Sequence, residues 1–187
     1  PEGNANYAWI LHMLSKLNAG KGVAGFLLAN GALGDSDAVA IRKKLIENDK
    51  VEAIVVLPRE LFYTTDISVT LWILNENKKG GMWHDRKLRN REKEILFMDL
   101  RQWTENPVKN EQKKKVELKA DQIKRAAEIY FKWQSVGTDG TNYAEPELYR
   151  SVGFEELDKN GYSLVPSRYI EFVDRDTTID YHQVLTE

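Results

Sequence analysis

VEAIVVLPRELFYTTDISVTLWILNEN, residues 51–77, decides how the rest of the chain is read. Two apolar, β-branched runs, Ala53–Leu57 and Val69–Leu74, flank a short aromatic and hydroxyl-rich segment. Continuous apolar runs of this length, bounded by polar or proline punctuation, suit strands buried on both faces. Pro58 lacks a backbone donor and ends the first run. The link from Leu57 to Val69 is too short for a helical crossover, so the two strands are expected as antiparallel neighbours. That link carries Leu61, Phe62, Tyr63, Thr64 and Thr65, an aromatic content that a merely solvated turn does not need.

Working back from this stretch, Tyr7–Leu17 places residues 7, 10, 11, 14 and 17 on one face at helical spacing, after the cap candidates Asn4 and Asn6. Asn18 and Gly20 stop that helix. Val23–Ala29 is a short apolar strand, and Asp37–Glu47 a second helix with Ala38, Ile41, Leu45 and Ile46 inward. A helix linking the Val23 and Ala53 strands implies a right-handed parallel crossover. The result is an α/β arrangement, mostly parallel and finishing in an antiparallel strand.

Working forward, residues 75–93 are polar and rich in Lys and Arg, and 94–99 form another apolar strand. Residues 105–117 read as a lysine-rich connector that bounds the sheet domain. Ala120–Gln134 is a helix with Ile123, Ala126, Ala127 and Tyr130 on one stripe. Glu147–Val152 and Phe154–Asp158 read as short helical turns before a tail containing LVPSRYI. The expected division is therefore 1–104, a connector at 105–117, and a helical appendage with its tail at 118–187.

The 187 residues are 42% hydrophobic and 30% charged, which is ordinary for one globular unit with a real core. A net charge of −2 argues against a bulk electrostatic grip on nucleic acid or anionic membrane, though not against a local basic patch. With no Cys there is no disulfide framework, thiolate nucleophile or cysteine-bound zinc, which fits a reducing cytoplasm. No apolar run reaches membrane-spanning length. The chain starts at Pro1 without an initiator Met and reads as a piece of a longer protein.

GNANYAWILHML, GVAGFLLANGAL, IRKKLIENDKVEAIVVLP, LFYTTDISVTLWIL, ILFMDLR and GYSLVPSRYI occur in that order between Gly3 and Ile170. Together they resemble the modification (methylation) subunit of type I restriction–modification systems, an N6-adenine DNA methyltransferase. The resemblance implies the back half of a Rossmann-like, S-adenosylmethionine-dependent methyltransferase sheet, with Val23–Ala29, Ala53–Leu57 and Val69–Leu74 as its fifth, sixth and seventh strands. The family's Gly-rich cofactor turn and Asn-Pro-Pro-aromatic catalytic loop have no counterpart here. Asn106-Pro107-Val108 is a turn signal within the connector. The chain alone is therefore expected neither to bind S-adenosylmethionine nor to be active. Asp66 and Ser68 stand where the family pattern leads one to expect Gly and Pro.

Methylation of adenine within a duplex requires the base to be extruded and stacked in a pocket. The family resemblance assigns that wall to the loop between the sixth and seventh strands, here Phe62, with Tyr63, Thr64 and Thr65 beside it. The competing reading makes Phe62 an ordinary plug at the sheet end. Lys78, Lys79, Arg86, Lys87 and Arg89 are candidates for DNA phosphate contacts; the plainer reading is a solvated hairpin connection, as it is for Lys113–Lys115. His12 reads as a packing or surface residue. Asp35 and Asp37 read as helix caps, and neither His84-Asp85 nor Asp180-Tyr181-His182 has a ligand set for a metal.

The expected partners are DNA, the DNA-specificity subunit, the restriction subunit and a second methylation subunit. Without a fourth strand, the Val23–Ala29 edge is expected to self-associate or to be covered by the chain's own tail. Two rival functions remain open: a non-catalytic module for protein or DNA contact, and a Rossmann-like methyltransferase with a non-DNA substrate.

Overall fold

The computed structural model describes residues 5–62, 66–103, 108–110 and 113–173. A six-stranded sheet is the centre, in the order β1 (Val23–Ala29), β3 (Val69–Asn75), β2 (Val51–Val56), β6 (Glu94–Asp99), β10 (Tyr149–Gly153), β9 (Ala144–Glu145). β3 runs antiparallel to both β1 and β2, β2 is parallel to β6, and β10 is antiparallel to β6 and β9. Four strands thus share one direction, and only β3 and β10 oppose it. The short 57–68 link makes β2 and β3 antiparallel neighbours, as expected. It also drives β3 between β1 and β2, so the two strands joined by the helical crossover are co-directional without touching.

Apolar periodicity decides which face each helix takes. Ile54, Val56, Trp72, Leu74, Ile95 and Phe97 form one face of the sheet. Over it lie α1 (Ala5–Ser15) through Tyr7 and Ile10, α2 (Val39–Glu47) through Leu45 and Ile46, and α4 (Phe154–Lys159) through Leu157. Tyr169 of the LVPSRYI tail stacks on Phe97 at 4.7 Å and donates its hydroxyl to the Ser163 carbonyl at 2.6 Å, so this element packs the chain back onto the sheet. The opposite face, built from Ala53, Val55, Leu96 and Met98, is covered by α3 (Ala120–Gln134) through Ile129 and Trp133. β2 is buried along its whole length, as a strand between two covered faces must be.

The C-terminal third departs from the expected helical appendage. Residues 147–152 do not form helical turns. Instead Tyr149–Gly153 is strand β10, and its Ser151 and Val152 are buried against β6. Burial of Ser151 and Val152 beside β6 outweighs the weak helical signal of the ELYRSV segment. The basic segment after β3 is a hairpin of β4 (Gly81–Trp83) and β5 (Arg86–Leu88), and the connector contains a second hairpin of β7 (Val108–Asn110) and β8 (Lys113–Lys115). Among the described residues, β1 has β3 as its one strand neighbour and so forms a sheet edge.

Between the sheet and the β4–β5 hairpin lies a buried polar network. The Glu52 carboxylate accepts from Arg91 Nε at 2.9 Å, from Gln134 Nε2 at 3.0 Å and from Asn75 Nδ2. Glu52 and Arg91 are both fully buried. Arg91 also donates to the Arg89 carbonyl at 2.6 Å. A buried pair of this kind survives because each charge is hydrogen-bonded on several sides.

Removing Arg91 leaves the Glu52 charge buried and unbalanced. Arg91→Met is expected to cost about 3–5 kcal/mol in urea unfolding, and Glu52→Met/Arg91→Met less than that single change. A single change within 0.5 kcal/mol of the parent would refute the role of the pair. Burial pushes the Tyr169 phenol up to about 12, from an ordinary value of 10.0. Because the folded value is the higher one, this contribution is whole below pH 10 and is lost as pH rises from 10 through about 12. Thermal melts between pH 9 and 12 should show that decline, and Tyr169→Phe should make it shallower, with the remainder left to the other tyrosines whose phenols burial raises.

Candidate functional site

The candidate site lies where β1, β2 and β6 end and β3 begins. In open α/β sheets ligands enter at the carboxyl ends of the parallel strands. Here those ends are Ala29, Val56 and Asp99, and Ala29 and Val56 flank the first residues of β3, Val69 and Thr70. Leu57 still donates to the Val69 carbonyl at 2.9 Å before Pro58 stops the ladder. The loop is then clasped at its base, where Ser68 Oγ donates to the Leu57 carbonyl at 2.7 Å and Arg59 Nε to the Asp66 carbonyl at 3.2 Å. The Ser68 hydroxyl thus gives this departure from the family pattern a structural role. Glu60 takes a left-handed backbone (φ 60°), and its carbonyl accepts from the Val116 N–H at 3.3 Å, which ties the end of the connector to this loop.

Phe62 is 37% exposed and belongs to neither apolar cluster of the sheet. A plug of the sheet end would be buried in one of them, so its ring is not ordinary core. Tyr63, Thr64 and Thr65 lie outside the described residues. Around the loop, Thr70 Oγ1 donates to Asn30 Oδ1 at 2.6 Å. Asp99, the carboxylate at the end of β6, is closed by Arg101 through contacts of 2.5–3.0 Å. A carboxylate at such a strand end is the group that would take a sugar hydroxyl, and here it is committed to Arg101. The described residues contain no cluster of His, Cys, Asp or Glu able to hold a metal.

The candidate phosphate contacts are elsewhere. β3 ends at Asn75 beside Val23 and close to Val51, and the β4–β5 hairpin springs from that point and returns to Glu94. Six residues of β2 separate the two ends, about 20 Å at ~3.3 Å per residue. Phe62 and the basic hairpin are thus not brought together.

Two of the five cations are also committed inside the fold. Lys78 is buried, with its ammonium on Asp49 Oδ1 at 3.0 Å and on the carbonyls of Val51 at 3.0 Å and Glu94 at 2.5 Å. Burial lowers its pKa from the usual lysine value, and the Asp49 carboxylate opposes that fall. Arg89 forks onto Glu94 at 2.7 and 3.0 Å and donates to the Trp133 carbonyl at 2.6 Å. Lys79 and Lys87 are exposed, while Arg86 lies over the Phe131 ring at 4.4 Å and donates to the Phe131 carbonyl at 3.1 Å.

The smaller expectations are resolved by the same geometry. His12 is an exposed residue set edge-on against Trp9, and Asp35 caps the turn entering α2 by accepting from the Asp37 N–H at 2.9 Å. Asp180 and His182 lie outside the described residues. The sequence signal for the Glu52 network is a carboxylate inside the apolar run VEAIVV, since such a group is rarely buried unless paired.

Comparison with known proteins now bears on this geometry. A family model described as N-6 DNA Methylase matches residues 1–177. The chain belongs to the N-6 DNA methylase family. It is 33% identical, over all of its length and 31% of the relative's, to the type I restriction enzyme MjaIX methylase subunit of Methanocaldococcus jannaschii. Over 94% of its length and 36% of the relative's, it is 34% identical to the HindI methylase subunit of Haemophilus influenzae. The chain thus spans about a third of the length of these curated relatives. Its fold is similar to that of the type I restriction-modification system methyltransferase subunit from Streptococcus thermophilus. There the TM-score is 0.71 at 23% identity, over 92% of this chain and 31% of that one. The family assignment agrees with the resemblance carried by the sequence segments, and the matched fold agrees with the methyltransferase sheet they implied.

If Lys78 is a structural residue of this N-6 DNA methylase chain, Lys78→Ala should cost roughly 2–4 kcal/mol, because it strips Asp49 and two buried carbonyls of a donor. Lys79→Ala and Lys87→Ala should stay within ~0.5 kcal/mol. Equal stability of all three in urea melts would contradict this reading.

Proposed function

We propose that the protein carrying this chain methylates DNA at the exocyclic N6 of adenine. S-adenosylmethionine would supply the methyl group as an electrophilic carbon on sulfonium sulfur. The chain's own contribution is one wall of the pocket for the extruded adenine, built by Phe62 with Tyr63, Thr64 and Thr65 beside it. The half-exposed ring of Phe62, standing outside both apolar clusters at the ligand-bearing end of the sheet, carries this reading.

No Gly-rich cofactor turn or Asn-Pro-Pro-aromatic run occurs in these 187 residues, and the strand-end carboxylate Asp99 is closed by Arg101. We therefore infer that the chain by itself neither binds the methyl donor nor transfers methyl groups, and no step through the cofactor is assigned to it. The specificity subunit, the restriction subunit, a second methylation subunit and DNA are its proposed partners. Lys79, Arg86 and Lys87 remain the cations open to a phosphate, at the end of the sheet away from Phe62. The division at 105–117 is retained as a proposal about the sequence rather than the core, since residues 144–153 complete the same sheet. The edge of β1 is the proposed surface for pairing with a further strand, from the same protein or from a second copy.

In the intact parent protein, Phe62→Ala should lower kcat/KM on a duplex target roughly tenfold or more, as expected for loss of a base-stacking ring. The loss should be smaller when the target adenine is mispaired and easier to extrude. An unchanged kcat/KM on both substrates would refute the pocket assignment. Calorimetry with S-adenosylmethionine should show binding by the parent and none by this chain, and tight binding by the chain would overturn that part.

A further inference from the structure

A cavity of about 200 Å³ lies at the end of the sheet opposite Phe62, under the β4–β5 hairpin. It is smaller than the ~300–1,000 Å³ of clefts for drug-sized ligands, so it suits a single ring system. Asn75 and Gln134, both buried, line it. The Glu52 carboxylate can only accept, so it fixes an N–H end of each amide toward itself. The Asn75 carbonyl accepts from the Asn77 N–H at 2.8 Å, and the Tyr130 phenol shares the Gln134 amide. The second N–H of Asn75 then carries no hydrogen bond among the described residues.

Aromatic rings stand beside these two amides. Trp83 is 43% exposed and Phe131 48%, and both line the cavity. Arg86 is held over Phe131 by the ring and by the Phe131 carbonyl, and Lys21 is the second cation of the lining. The backbone fixes the hairpin in place, since the Arg89 N–H donates to the Gln134 backbone carbonyl at 2.9 Å and Leu88 bridges to Ser135.

We propose that this cavity is a nucleotide-binding site, with the base stacked against Trp83 and Phe131, its polar edge on Asn75 and Gln134, and its phosphate at Arg86 and Lys21. A buried amide N–H complements an acceptor on a nucleobase edge, open rings stack on any base, and a guanidinium beside them takes phosphate. The same chemistry describes a free mononucleotide and one unit of a single strand, and it is independent of methyl transfer at the opposite end.

The test titrates the purified chain with adenosine 5′-monophosphate, ribose 5-phosphate and a short single-stranded oligoadenylate, reading heat and tryptophan fluorescence. Trp83→Ala and Phe131→Ala, both exposed positions, are expected to weaken binding about tenfold or more. Far-UV melts establish that each variant is folded. Binding of the mononucleotide but not of ribose 5-phosphate, lost in both variants, supports a site for a free nucleotide. Binding of the oligonucleotide alone, lost in both variants, supports a strand as the source. Binding by no probe, equal binding of ribose 5-phosphate, or affinity unchanged in both variants overturns the proposal.

Discussion

A single buried carboxylate holds the centre of this molecule together. Glu52 is the second residue of the most enclosed strand, and its two oxygens gather Arg91, Gln134 and Asn75. Those partners come from the segment after the β4–β5 hairpin, from the end of α3 and from the end of β3. An ionised group in such a place is tolerated only if its lone pairs are answered, so its position dictates where three distant segments must meet. Lys78 repeats the logic a few residues away, drawing Asp49, Val51 and Glu94 to one ammonium. The basic segment after β3 is therefore less a charged surface than the clamp that closes the sheet against α3.

That constraint separates the two ends of the sheet by role. At the carboxyl ends of the parallel strands, the loop between β2 and β3 is held at its base by Ser68 and Arg59 and offers a half-exposed ring. At the other end, the internal ion pairs absorb much of the positive charge, leaving aromatic rings, two amides and a few cations around a small cavity. The direction of β3 alone produces this division. β3 enters at one end and leaves at the other, so whatever precedes it and whatever follows it cannot share a site.

The four central strands β1, β2, β3 and β6, their hydrophobic character and the helices beside them were legible in the sequence. Val23–Ala29, residues 94–99 and Ala120–Gln134 form the expected elements, because a period of two or of 3.6 in apolar residues reports directly on one buried face. The short link between β2 and β3 fixed their antiparallel pairing by chain length alone. Membership of the N-6 DNA methylase family was legible too, through several segments in one order.

What only the tertiary structure decided is which charges face water and which elements meet across sequence distance. Lys78 and Lys79 are neighbours with the same chemistry, yet one is buried on Asp49 and the other exposed, and no local pattern separates them. Tyr149–Gly153 became a strand because β6 offered an unfilled edge, an attraction written fifty residues away. The sequence by itself determined periodicity, punctuation and composition, which are local properties of the chain. The pairing of Glu52 with Arg91, the distance between Phe62 and the hairpin, and the cavity beneath it arise from long-range packing, where the cost of burying a charge selects one arrangement among many.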